Sequence, residues 1–226
     1  NVSDFASPHL QVLRATVLPG YLLLGLVAGV FGVAFNVSLL GALRLSDRLD
    51  RWPRGAKGAV VGAAAGGLAW FIPHVVGGGE VLARSAIEHP FPWPLLIGLL
   101  AARFILTVAS YGSGAPGGIF APLLALGALL GSGYAVAQGA ITGHMPEVAP
   151  YVIVSMAACF TSVVRSPLTG VVLLLEMTGS WPLILPMMAA SITAYAVPEL
   201  LGNPPVYDSL RERDEQKERA DRAASA

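Results

Sequence analysis

Positions 110–131 read SYGSGAPGGIFAPLLALGALLG, and three chemistries could be built from them. The first is dinucleotide binding, because Gly112, Gly114 and Gly117 match the spacing GxGxxG. That fingerprint needs an acidic partner for the ribose, and here Pro116 sits inside the turn while no Asp or Glu lies between Glu88 and Glu147. The second is nucleophilic: Ser113 between two glycines could serve an intramembrane serine hydrolase. A nucleophile needs a base within reach. His9, His74, His89 and His144 fall in loops or near segment ends and form no spaced set, which argues equally against a metal site. The third uses the main chain. Pro116 and its neighbouring glycines end one segment and let the chain re-enter as a helix from about Ile119. The first N–H groups of a helix lack intrahelical partners, and Pro122 fits the first turn, where a missing N–H costs nothing. The amides near Gly118, Ile119 and Phe120 then point into the break with the positive end of the helix dipole behind them, a site for an anion. The stretch holds no Lys or Arg, so partial charges would bind weakly enough for release. It also has no fork for a carboxylate or phosphate, which points to a small ion. Against this stands a plain helix-packing turn, since small residues at helix contacts are common in membranes. Composition alone leaves both readings open.

The elements that must position these residues are apolar. The 226 residues are 54% hydrophobic and 12% charged, against about 25% charged in a soluble domain. Of 28 charged residues, 11 lie in 208–226, which leaves 17 for the first 207 positions. Phe104 to Pro146 is a run of 43 positions without Asp, Glu, Lys or Arg. This describes an all-α membrane protein with a short solvated tail. Net charge is zero, so nothing suggests nucleic acid. The lone Cys159 excludes an intramolecular disulfide and a Cys-rich metal site, and reads as a small buried hydrophobe. The chain starts with Asn1 and shows no basic n-region or cleavage motif, and is read as part of a longer polypeptide.

Val17–Leu43 is long enough to span with tilt, with Gly25, Gly29 and Gly32 forming a close-packing side. The basic connection LRLSDRLDRWPRGAK follows, cytoplasmic by the positive-inside rule. Gly58–Ile72 carries Gly58, Gly62 and Gly66 at spacing four, a second face for a close helix. Pro73 to Pro94 is a break on the outer side, with a short helix at Val81–Ile87. Leu95–Ala109, Tyr151–Val164 and Leu168–Met177 are apolar but short, Ile119–Ala137 nearly spans, and Leu183–Leu200 is interrupted by Pro186 and ends near Pro198. Interrupted helices survive in lipid only against protein or a water-filled cavity, and they are the usual mark of an ion or substrate site in a transporter. The organisation expected is an outer connection over 1–16, a transmembrane body over 17–205 and a cytoplasmic amphipathic helix over 206–226.

At GSGAPGGIFAPLLALGALLG the chain resembles the GGIFAP region of the CLC family of chloride channels and proton–chloride exchangers. VRSPLTGVVLLLEMT (164–178), PLILPMM (182–188) and GNPPVYDSL (202–210) follow in the family's order, and VGGGEVL (76–82) resembles an outer connection. The resemblance runs from about Tyr21 onward. It implies tilted and broken transmembrane helices built as two halves of inverted topology, of which this chain is similar to the second. It implies that chloride, a transported ion rather than a cofactor, is held by the backbone amides of Ile119 and Phe120, beside Gly118, and by the Tyr207 hydroxyl. From spacing alone Tyr207 is an interfacial belt tyrosine. A first-half serine, the gating glutamate and an inner proton-handling glutamate belong to motifs this sequence does not contain. The function implied is proton-coupled chloride exchange in a bacterial inner membrane by a homodimer, not an enzyme, with chloride, protons and lipid as partners. A passive channel, a fluoride-selective relative and, remotely, the Ser113 hydrolase are the alternatives. Glu176 is read as a structural carboxylate at a helix end, Arg165 as a side chain snorkelling to the cytoplasmic face, and Arg103 as pairing or capping.

Overall fold

The apolar runs follow one local logic: each helix starts near a proline or glycine and several end at a residue in the left-handed region. A computed structural model of the chain describes residues 18–49, 55–72, 76, 79–89, 91–114 and 118–225. Among these the chain forms nine α-helices, one 3-10 turn and no strand. They are α1 (Leu18–Arg48), α2 (Ala56–Phe71), α3 (Glu80–Glu88), α4 (Trp93–Gly112), α5 (Phe120–Thr142), α6 (Val148–Val164), α7 (Pro167–Thr178), α8 (Ile184–Leu200) and α9 (Val206–Ser225). The expected connection over 1–16 lies outside the described residues. Leu18–Arg48, Trp93–Gly112, Phe120–Thr142 and the segment Trp181–Leu200 are long and apolar enough to cross a membrane, whereas α2, α6 and α7 are apolar but shorter.

Helix α6 is the centre, with every residue from Val148 to Val163 buried. A helix that is apolar all round must be enclosed, and α1, α5, α7 and α8 enclose this one. Small residues allow the approach. A Cβ placed on Gly131 of α5 would lie 2.5 Å from the Tyr151 carbonyl and 2.7 Å from the Val152 Cα. The glycine side of α1 works as its spacing suggests: a Cβ on Gly25 would meet the Ala190 carbonyl of α8 at 2.3 Å, and one on Gly32 would meet Ser162 of α6.

Three expectations are corrected. Gly58, Gly62 and Gly66 of α2 face no atom within 4 Å, and α2 buries no residue, so nothing described in this chain covers that face. Helix α8 is not interrupted at Pro186: it runs through Pro186 and Pro198 to Leu200. Pro186 is the third helical residue, where the missing N–H has no partner to lose, and Pro198 is in the last turn. Arg165 does not snorkel. It caps α6 at φ 65°, and its side chain is 5% exposed.

Candidate functional site

The start of α5 is where sequence and structure meet. Ile119 caps the helix at φ −84°, with no side-chain cap. Its carbonyl accepts from the Leu123 amide at 3.0 Å, the first turn's bond. Among the described residues no carbonyl accepts from the amides of Gly118, Ile119 or Phe120. Gly118 is exposed, and a Cβ placed on it would meet nothing within 4 Å, so open space adjoins these donors. The side chains are fixed, whereas these amides have no carbonyl acceptor among the described residues. Ile119 is 3% exposed, and the Phe120 ring packs edge-on against Phe160 at 5.5 Å. A helix start carries the positive end of the helix dipole, and packed neighbours hold its direction. Pro122 is the third helical residue, as its position suggests. Gly117 lies outside the described residues.

The start of α9 meets the same cluster from the other end of the chain. Gly202 at φ 61° and the pair Pro204-Pro205 separate α8 from α9. Val206, the first residue of α9, is fully buried in one cluster with Ile119, Phe35, Leu39, Leu123, Leu126 and Val163. Tyr207 follows it and is 51% exposed, so its ring leaves the cluster that its neighbour enters. Tyr111, in the last turn of α4, packs on that cluster. Sequence reading missed Tyr111; its place just before the Gly112–Gly114 break was the available signal.

Contacts of the segment before α9 were also missed. The Arg165 guanidinium donates to the Asn203 carbonyl, and to the Tyr195 carbonyl at 3.2 Å. It pairs with Glu199 at 3.4 Å and stands 5.6 Å from the centre of the Tyr195 ring. Asn36 of α1, 1% exposed, donates to the Asn203 side-chain oxygen at 3.1 Å and to the Pro204 carbonyl at 3.4 Å. Asp47, in the last turn of α1, accepts from Arg213 and Lys217 of α9, each at 2.6 Å.

The other candidates are not drawn together. Ser113 donates to the Ser110 carbonyl at 2.7 Å. His89 caps α3 and His144 follows α5, so neither described histidine is on the helix Ser113 caps. No group of three His, Cys, Asp or Glu side chains among the described residues could hold a metal. Glu176 is exposed on α7. Arg103 is buried on α4 beside Gly79, the α3 cap, where a Cβ would come within 2.8 Å of its guanidinium.

Apolar helices of mixed length, interrupted at Gly, Pro and left-handed caps, define a multi-pass α-helical membrane protein. The chain belongs to the voltage gated chloride channel family, which matches residues 4–199. It is 39% identical over 213 residues to the H(+)/Cl(-) exchange transporter ClcA of Cronobacter sakazakii (strain ATCC BAA-894), covering 91% of this chain and 45% of that protein. It is 37% identical over 217 residues to the protein of the same name from Vibrio campbellii (strain ATCC BAA-1116), covering 93% and 45%. The chain thus spans about half the length of the curated relatives it matches. A solved slow cyanobacterial Cl-/H+ antiporter superposes at TM-score 0.85 with 32% identity, over 93% of this chain and 50% of that one. A eukaryotic CLC transporter shares the fold at TM-score 0.74 and 24% identity, over 89% and 36%.

Proposed function

We propose that this chain is one half of a proton-coupled chloride exchanger. In this reading the amides of Gly118, Ile119 and Phe120 and the Tyr207 hydroxyl hold the transported chloride. The observation that carries it is the set of amides without a described acceptor at the start of α5, beside open space. The names of the relatives supply the ion and the coupling. The chemistry is plain. Backbone N–H groups and one phenol offer hydrogen bonds without a full positive charge, so the ion is held and released. Chloride is substrate here, and the reading calls on no cofactor. The setting proposed is a bacterial inner membrane, with α9 on the cytoplasmic side and two copies forming a homodimer. The exposed apolar side chains Leu168, Trp181 and Leu185 of α7, the 3-10 turn and α8 would face lipid or the second copy.

Because the chain spans about half of its relatives, the test uses the complete polypeptide. Titration calorimetry should show weaker chloride binding in Tyr207→Ala, and unchanged affinity would remove Tyr207 from the site. In liposomes, an imposed chloride gradient should drive protons uphill. Chloride flux without proton movement would replace exchange with a passive channel, and tighter binding of fluoride than chloride would change the substrate.

A further inference from the structure

Tyr207 sits on the first turn of a charged surface helix, an unpromising place for a ligand that must be held to a fraction of an ångström. What fixes α9 is the strap before it. Segment 201–205 is held at Asn203 and Pro204 by two side chains from other helices, Arg165 at the end of α6 and Asn36 on α1. Both are buried. Arg165 is the one non-glycine residue with positive φ among the described residues. Left-handed backbone at a residue with a Cβ carries strain and persists where the surroundings demand it. With this cap the Arg165 side chain lies at the C-terminal end of α8, donating to the carbonyls of Tyr195 and Asn203. Asn36 follows Phe35, which packs against Ile119 and Val206, so the residue that ties the strap is one step from the floor of the site.

We propose that Arg165 and Asn36 are positioning residues that set the place of the Tyr207 hydroxyl by clamping the strap at Asn203 and Pro204. The proposal rests on Tyr207 being a chloride ligand. Neither residue need touch the ion: they fix the backbone, and Pro205 and Val206 carry the constraint into α9. Among the described residues the Asn203 side-chain oxygen accepts from the Asn36 amide, and loss of either donor leaves the strap one anchor short.

The test is a double-mutant cycle on the complete polypeptide, read by chloride calorimetry. Arg165→Gln should raise the chloride Kd by roughly three- to tenfold, about the effect of one misaligned hydrogen bond, with the number of sites per folded protein unchanged. Arg165→Lys, which keeps a donor for the Asn203 carbonyl, should recover much of that affinity. In the Tyr207→Ala background the same Arg165→Gln change should have no further effect on Kd. A merely structural role would lower the number of competent sites and leave Kd alone, and that result overturns the proposal, as does an Arg165→Gln effect that persists undiminished without Tyr207. If Arg165→Gln does not fold, Asn36→Leu carries the same cycle with the same expectations. Should Tyr207→Ala itself leave Kd unchanged, the ligand assignment falls and the positioning claim falls with it. If Tyr207→Ala weakens binding but neither Arg165→Gln nor Asn36→Leu does, only the positioning claim falls.

Discussion

Ile119, the cap of α5, and Val206, the first residue of α9, lie in one buried cluster at 3% and 0% exposure. Residues 87 positions apart in the chain (206 − 119) thus share a floor. Beside it lie amides with no carbonyl acceptor among the described residues, and Val206 leads directly into Tyr207. Packing, not charge, joins these two helix starts.

The α5–α6 contact has almost no slack. Gly131→Ala in the complete polypeptide should destabilise by about 1–3 kcal/mol, because the new methyl meets backbone that cannot move aside. Gly98→Ala on α4, where a Cβ meets nothing within 4 Å, should leave stability equal or raise it by about 0.5–1 kcal/mol. Thermal melting in detergent separates the two, and equal melting temperatures would contradict the close approach.

Helix α9 is tied to α1 by the two ion pairs of Asp47, whose side chain is 34% exposed. Exposed pairs contribute about 0.2–1 kcal/mol. Asp47→Asn should therefore speed amide exchange over 206–219 a few-fold at low salt. The difference should shrink at 1 M salt, where the screening length is about 3 Å. Exchange in α9 that is indifferent to both changes would show that Asp47 does not hold it.

Ser113 serves no covalent chemistry in this account. Ser113→Ala should leave chloride flux within about twofold of the parent, since the hydroxyl's bond to the Ser110 carbonyl is a local one. A fluorophosphonate probe should leave Ser113 unmodified by mass spectrometry. Labelling at that serine would revive the hydrolase.

Much of the fold could be read from residue types, because the determining interactions are local. The start of α5 follows from Gly118 and Pro122, and the side of α1 that meets α8 follows from Gly25 and Gly29. The helix over Val206–Ser225 follows from its charge pattern. What stayed hidden depends on partners distant in sequence. Arg165 looks like any interfacial arginine until the Asn203 carbonyl, 38 residues on, is beside it. Pro186 looks like a break until the helix boundary is known to fall two residues earlier. The stripe Gly58, Gly62, Gly66 promises a close neighbour, yet a face is covered only if some segment is there to cover it. Of the proposed ligands, the amides of Gly118, Ile119 and Phe120 follow from helix-end chemistry. Tyr207 does not, since nothing local distinguishes it from a tyrosine at a membrane boundary.

The central claim is that free main-chain amides at the start of α5 hold the ion. Crystals of the complete polypeptide grown in bromide test it directly through anomalous diffraction. The account predicts a bromide peak within hydrogen-bonding reach of the Ile119 and Phe120 amides, on the side facing Tyr207. Bromide bound elsewhere with these amides donating to protein carbonyls would contradict it.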